Sequence, residues 1–242
     1  MQLRPFAHCV WDNEMISLRS GSDSGPGIAF LFRTFIRTRM KMIIQLIPVV
    51  AASLLLASIQ GFGQNNKPAV NYMGIPGPIV FQKKSYQLHW SSHPDASLYK
   101  QEYLVAGDGF PNYKSMITID FVIAAASVDD AVKTKLRELE QLKKTLDVNY
   151  EVIGNAATGE KIIDCLLGQT AADDAKSIYE HDVYRFKAVT AKSGQKGILL
   201  FALSNRAYGK DIQPFLARLK TERKALIAEV AKVPVPNITI KK

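Results

Sequence analysis

The sequence has too few cysteines for a disulfide-stabilised fold, and it lacks the short motifs of the commonest enzymes. Two cysteines occur in 242 residues, and one pair of thiols cannot form a disulfide framework. None of the motifs GxxxxGKS/T, GxGxxG, GxSxG, HExxH and CxxC is present. Their absence removes the usual nucleotide-binding, hydrolase, zinc-protease and redox interpretations. What remains is the composition of a globular protein, 47% hydrophobic and 22% charged.

Concentrated charge and repeated membrane spans are missing as well. The net charge is +9, but lysines and arginines are interleaved with acidic residues, and no cluster of basic and aromatic residues occurs. The sequence therefore does not favour nucleic acid as a partner. Only one apolar run is long enough to cross a membrane, which excludes a polytopic membrane fold.

That apolar run has the features of a secretory signal peptide. Lys41, between Met40 and Met42, precedes the run IIQLIPVVAASLLLASI, and Gly61 and Gly63 follow it. A basic start, an apolar core and small residues at the third and first positions before a cleavage point are typical of such peptides. We therefore predict cleavage before Gln64 and a periplasmic or secreted protein. The alternative is an uncleaved membrane anchor, and either form would be the chain's only contact with a membrane.

The segments on either side of this run differ in character. Residues 1–39 show no sustained periodicity and are interpreted as a non-native or disordered upstream extension, and 40–63 as the signal peptide. Residues 64–78 contain three Pro and two Gly, which predicts a flexible lead-in. Residues 79–242 are predicted to form a single α+β domain. Cys165 is the only thiol after the cleavage point, so the mature chain has no internal disulfide.

The periodicity of the mature chain alternates between strand and helix. Tyr86, Leu88 and Trp90 alternate with polar residues and are predicted to share one face of a strand. Helices are predicted over 127–145, with Ser127 as N-cap, and over 211–232, with Asp211 as N-cap. Further strand candidates are 79–81, 99–106, 116–123, 148–153, 161–167, 181–191 and 197–205. Short loops between strands predict an antiparallel sheet of about six to eight strands, and segregated helices predict that both pack on one face.

Two resemblances accompany this pattern. The stretch YKQEYLVAGDGFPNYKSMITIDF, residues 99–121, resembles uncharacterised exported bacterial proteins, as does the signal peptide followed by Gln64, which is similar to exported proteins of Bacteroidetes. The order of strands and helices is similar to the PsbP-type α+β sandwich. Neither resemblance implies a functional residue.

Histidines and carboxylates are the best candidates for chemistry. His89, His93 and His181, with Asp95 and Asp182, are residue types that bind zinc, and three ligands are enough for a catalytic site. Their spacing matches no established ligand pattern, so the alternative is unrelated surface or strand-end histidines. We predict no metal ion and no other cofactor.

Two other groups of residues have competing interpretations. If 161–167 pairs with 181–191, Cys165 falls near Asp182 and therefore near the adjacent His181, and a thiol nucleophile needs such a nearby base. Its apolar neighbours favour a small core residue instead. Aromatic residues between 86 and 113 form either a binding surface or part of the core, and the core is favoured: Trp90, Tyr99, Tyr103, Phe110 and Tyr113.

Taken together, these features favour an exported, non-enzymatic α+β domain. Its expected partner is a protein, an envelope component or a small ligand. The first alternative is a metal-dependent or hydrolytic enzyme that uses His89, His93 and His181. The second is a carrier that encloses an apolar ligand between sheet and helices.

Overall fold

A computed structural model describes residues 68–240, which form one curled antiparallel sheet, a half-barrel, with two helices. The sheet has eight strands in the order β1-β2-β3-β4-β8-β7-β6-β5. The strands are β1 Ile79–Phe81, β2 Lys84–Asp95, β3 Leu98–Val105, β4 Ser115–Ile123, β5 Asp147–Asn155, β6 Glu160–Gln169, β7 Ile178–Thr190 and β8 Lys196–Tyr208, with α1 Val128–Leu142 after β4 and α2 Ile212–Lys232 after β8. The antiparallel sheet, its strand number and its two helices agree with the prediction. The predicted upstream extension and signal peptide lie outside the described residues.

The two four-stranded halves meet at their last strands. β4 pairs with β8 over nine residues, from Ser115 opposite Asn205 to Ile123 opposite Gly197. Each half therefore places its first strand at an edge of the sheet, and β1 and β5 are the two edge strands.

The helices pack on opposite faces of the sheet, so the prediction that both cover one face is wrong. Adjacent residues of β7 show this, because successive side chains of a strand point to opposite faces. Val183 belongs to the apolar cluster that contains Leu226 of α2. Tyr184 belongs to the cluster that contains Leu139 of α1. We call these the α2 face and the α1 face. Both faces of the central strands carry apolar residues, so each can bury a helix.

Local signals explain where the helices begin. The Ser127 side chain accepts a hydrogen bond from the Asp130 backbone, and the Asp130 carboxylate accepts one from the Ser127 backbone, as in a capping box. α1 ends at Leu142 rather than near 145, and turns follow it. α2 begins at Ile212, and the predicted N-cap Asp211 makes no capping hydrogen bond through its side chain. Instead, Asp211 ends a short 3-10 helix, Gly209–Asp211.

The prediction that Tyr86, Leu88 and Trp90 share one strand face is wrong for Trp90, because β2 contains a β-bulge. Leu88 pairs with Tyr103, but Trp90 pairs with Glu102, so the register shifts by one residue between them. The extra residue, His89, reverses the alternation. Trp90 therefore lies on the α1 face with Glu102, opposite Tyr86 and Leu88, rather than beside them.

The core begins before residue 79. Met73 and Ile75, within the predicted flexible lead-in, are 0% and 2% exposed and belong to the cluster of the α2 face. The Met73 backbone N–H donates to Gln101 Oε1 at 2.9 Å. This part of the lead-in is therefore packed against the sheet. Among residues 68–240, no helix is long and apolar enough to cross a membrane.

Candidate functional site

The three histidines proposed as metal ligands do not meet. The His89 ring lies against Phe110, with 5.2 Å between ring centroids. His93 stacks on Tyr99 at 4.0 Å, near the β2–β3 turn. His181 pairs with Asn205, which in turn pairs with Ser115 at the start of β4. The β2–β3 turn lies near the other end of β4, because Leu98 pairs with Val122.

The carboxylates expected beside these histidines are also separated. Asp95 accepts hydrogen bonds from Ser97 and Leu98 within its own turn. Asp182 follows His181 directly and therefore points to the α1 face, whereas His181 points to the α2 face. In the described part of the chain, no group of three or more His, Cys, Asp or Glu side chains is placed to hold a metal ion.

Cys165 is a core residue and is separated from His181 by the sheet. It pairs with Asp182, as the sequence predicted, and its neighbour Leu166 pairs with His181. Cys165 is 0% exposed in the cluster of the α1 face. Burial raises the pKa of its thiol, which disfavours the nucleophilic thiolate. Tyr99, Tyr103 and Tyr113 are buried as well, which confirms the core interpretation for these aromatic residues.

A band of buried charges crosses the α1 face and was not anticipated from the sequence. It comprises residues of β3, β4, β7 and β8, which we call the polar band: Lys100, Glu102, Thr118, Asp120, Glu180, Asp182, Ser204 and Arg206. Lys100 Nζ lies 3.9 Å from Asp120 Oδ2, and Arg206 forms an ion pair with Glu180. The Tyr113 hydroxyl donates to Glu180 at 2.8 Å.

Burial dominates the electrostatics of this band. It raises the pKa of Glu102 to about 8, and nearby Asp120 acts in the same direction while Lys100 opposes it. Burial also raises the pKa of Asp182, with Glu180 adding to the effect. Because Lys100 pairs with Asp120 and Arg206 with Glu180 inside the sheet, we interpret the band as a buried polar network.

A cleft of about 760 Å³ lies between α2 and the β5–β6 hairpin. It exists because α2 packs on β7 and β8 rather than on the outer strands. The α2 face of β5 and β6 therefore forms one wall and the side of α2 forms the other. Apolar side chains line much of the cleft: Ile153, Ile162, Ile227, Ala228 and Ala231.

One end of the cleft carries an arginine that is fixed by a buried pair. Asp164 is 0% exposed and His181 is 1% exposed. His181 Nε2 lies 2.6 Å from Asp164 Oδ1, and because a carboxylate only accepts, the histidine donates through Nε2. Arg223 Nε donates to the other oxygen, Asp164 Oδ2. The arginine side chain remains 40% exposed and lines the cleft.

A second group of charges lies farther along the same wall. Glu160 accepts from Arg185 Nε and from Lys187 Nζ, each at 2.7 Å. Burial raises the pKa of Glu160, but these hydrogen bonds and charges outweigh it, and the net shift is downward. Arg185 also donates to the carbonyl oxygen of Val233 at 2.6 Å, which ties the end of α2 to the sheet.

The sequence alone did not predict the cleft. In the sequence of α2, Leu226 and Ile227 belong to the apolar pattern of the helix, whereas Arg223 lies in the polar stretch TERK before them. The pairing of Arg223 with Asp164 joins residues 59 positions apart in sequence. A carboxylate within an apolar strand, as in IIDCLL, is the one local signal that could have directed attention there, because an isolated buried charge requires a partner.

The described residues define a small protein with a curled eight-stranded antiparallel sheet, two helices and a cleft at one edge of the sheet. Residues 73–235 match the model of an uncharacterised bacterial protein family, and the chain belongs to that family. The matched range contains all eight strands and both helices. No curated protein and no solved structure gives a significant match. The resemblances to Bacteroidetes exported proteins and to the PsbP layout stay predictions.

Proposed function

We propose that the chain is an exported binding domain whose ligand occupies the cleft between α2 and the β5–β6 hairpin. The observation that carries this proposal is the cleft itself, about 760 Å³ with an apolar lining and charged side chains. Small-molecule sites commonly have volumes of about 300–1,000 Å³, with a mostly apolar surface and few polar groups. The cleft therefore fits a small molecule with a substantial apolar part.

The side chains of the cleft favour binding over catalysis. Among residues 68–240, none of those that line the cleft is a serine, threonine, cysteine, tyrosine or histidine. Asp164 and Glu160, two of its carboxylates, are each held by two donors. A carboxylate held in this way is a poor general base. This arrangement supports a binding role over the alternative of a hydrolytic or metal-dependent enzyme.

Export rests on the sequence alone. The basic start, apolar core and small residues over 40–63 support secretion or delivery to the periplasm. The proposed binding domain would therefore meet its ligand outside the cytoplasm. A partner protein or an envelope component remains an alternative occupant of the same surface.

The test uses an uncharged fluorescent probe and a residue that fills the cleft. N-phenylnaphthylamine should bind the purified protein at one site, with a rise in its fluorescence. Ala228→Trp places an indole in the cleft and should weaken binding about tenfold or more, which is about 1.4 kcal/mol.

Ala225→Trp is the matched control, because Ala225 lies on the same helix, is exposed and does not line the cleft. It should leave probe binding unchanged. Equal binding by the wild type and Ala228→Trp would overturn the proposal, as would an absence of binding by the wild type.

A further inference from the structure

We infer that the ligand of this cleft is an amphiphile with one anionic group, and that Arg223 binds that group. This inference rests on the proposed function and adds the chemical class of the ligand. The anionic group is a carboxylate, sulfonate or phosphate. The apolar part of the ligand lies along the side of α2.

Arg223 is held in position by Asp164, which occupies only one of its hydrogen-bond donors. Its Nε–H donates to Asp164, and among the described residues its side chain makes no second hydrogen bond or ion pair. A guanidinium has five N–H donors. The four donors on its terminal nitrogens are therefore available to a ligand, and their planar arrangement suits the two oxygens of a carboxylate or the oxygens of a phosphate.

The buried pair behind Arg223 makes this arrangement rigid. Asp164 is fixed by His181 at 2.6 Å, and both side chains are inaccessible to solvent. A flexible arginine loses side-chain entropy when it binds a ligand. Because Asp164 already orders the guanidinium in the free protein, Arg223 loses less side-chain entropy when a ligand binds. This preorganisation favours binding.

The distribution of charge places the anionic group at the α2 wall. The two cationic lining residues, Arg223 and Lys224, both come from α2, whereas the acidic Glu151, Glu160 and Asp164 come from the β5–β6 hairpin. Asp164 is balanced by its ion pair with Arg223. Glu160 is compensated by Arg185 and Lys187. An anion beside Arg223 and Lys224 is therefore attracted, and its repulsion by the hairpin is reduced.

The apolar part of the ligand has a continuous surface next to this position. Ile227, Ala228 and Ala231 follow Arg223 along one side of α2, and Ile162 lies on the facing strand. An apolar chain or ring that lies here gains about 25 cal/mol of binding free energy for each Å² of apolar surface that it buries. The cleft therefore combines an anion-binding end with an apolar surface beside it.

The experiment compares two probes that differ by one anionic group. Anilinonaphthalene sulfonate has the skeleton of N-phenylnaphthylamine with an added sulfonate. We expect the purified protein to bind the sulfonate probe about tenfold more tightly than the uncharged probe. Added salt should weaken binding of the sulfonate probe but not binding of the uncharged probe. Arg223→Met should remove this preference, so that the variant binds the two probes about equally.

Arg223→Lys keeps the charge but loses the planar set of donors, so it should retain only part of the preference. Thermal melting of each variant checks that it is folded, and if Arg223→Met is unfolded, the Arg223→Lys variant and the salt dependence decide the outcome. If the uncharged probe binds and Ala228→Trp blocks it, but the sulfonate has no advantage or Arg223→Met keeps it, this inference is wrong and the proposed function stands. If neither probe binds the wild type, the proposed function itself is wrong.

Discussion

Buried ionisable residues are unusually numerous at the centre of this sheet, and Glu102 is the clearest example. It is 0% exposed and lies among Asp120, Glu180 and Lys100. Its pKa rises from 4.5 to about 8 because burial penalises the carboxylate, and the neighbouring acids add to that effect. The folded protein therefore keeps a proton on Glu102 over a pH range in which the unfolded chain has released it.

This proton makes stability depend on pH in a definite direction. The folded state binds more protons than the unfolded state between pH 4.5 and about 8, so the free energy of unfolding should fall as the pH rises through that window. Glu102→Gln removes the titrating group, so the stability of the variant relative to the wild type should rise progressively as the pH increases across the window. Urea denaturation of both proteins at the two ends of the window measures this, and a difference that does not change with pH would refute it.

At the scale of elements, the pairing of β4 with β8 holds the two halves of the sheet together. Gly197 lies at one end of this pairing, opposite Ile123. A Cβ atom at Gly197 would lie 2.1 Å from the carbonyl oxygen of Val122 and 2.9 Å from the Phe121 ring. The backbone oxygen cannot move without disturbing β4, so this position requires glycine.

Gly197→Ala should therefore destabilise the protein by about 1–3 kcal/mol, the usual range for an overpacked site. Gly154→Ala is the matched control, because Gly154 is also in a strand and nothing lies within 4 Å of an added Cβ. Its effect should stay within about 0.5 kcal/mol, as at other open surface sites. Chemical denaturation of both variants makes the comparison, and equal effects would show that the β4–β8 contact is not as close as described.

At the scale of the whole molecule, one sheet separates two apolar clusters. The larger cluster, on the α2 face, extends from Met73 to Ile238 and includes residues of both halves of the sheet. The domain therefore begins close to residue 73, where the family match also begins. The predicted cleavage before Gln64 would leave this core intact.

We therefore expect the exported protein to begin at Gln64. Mass spectrometry of the extracytoplasmic fraction should find that N-terminus and no peptide from residues 1–63. Gly63→Leu should block cleavage, because the peptidase accepts only small side chains at this position, whereas Gly63→Ala should allow it. A full-length protein in the membrane fraction would instead support the uncleaved anchor.

Local patterns in the sequence were sufficient to predict the helices and strands of this protein. Periodicity located both helices and the main strands, because the spacing of apolar residues depends on the local geometry of helix and strand. The capping signal at Ser127 and the Gly-containing loops between the later strands are equally local. The sequence placed Cys165 near Asp182 on the condition that their two strands pair, and the structure confirms that pairing.

The tertiary structure decided how these elements are placed and where the candidate site lies. Both faces of the central strands are apolar, so periodicity could not show which face each helix covers. One extra residue in β2 moved Trp90 to the other face, and a bulge has no unique sequence signal. The cleft depends on α2 packing beside β5 and β6 and on Arg223 reaching Asp164, and such contacts between distant residues arise only when the whole sheet has formed.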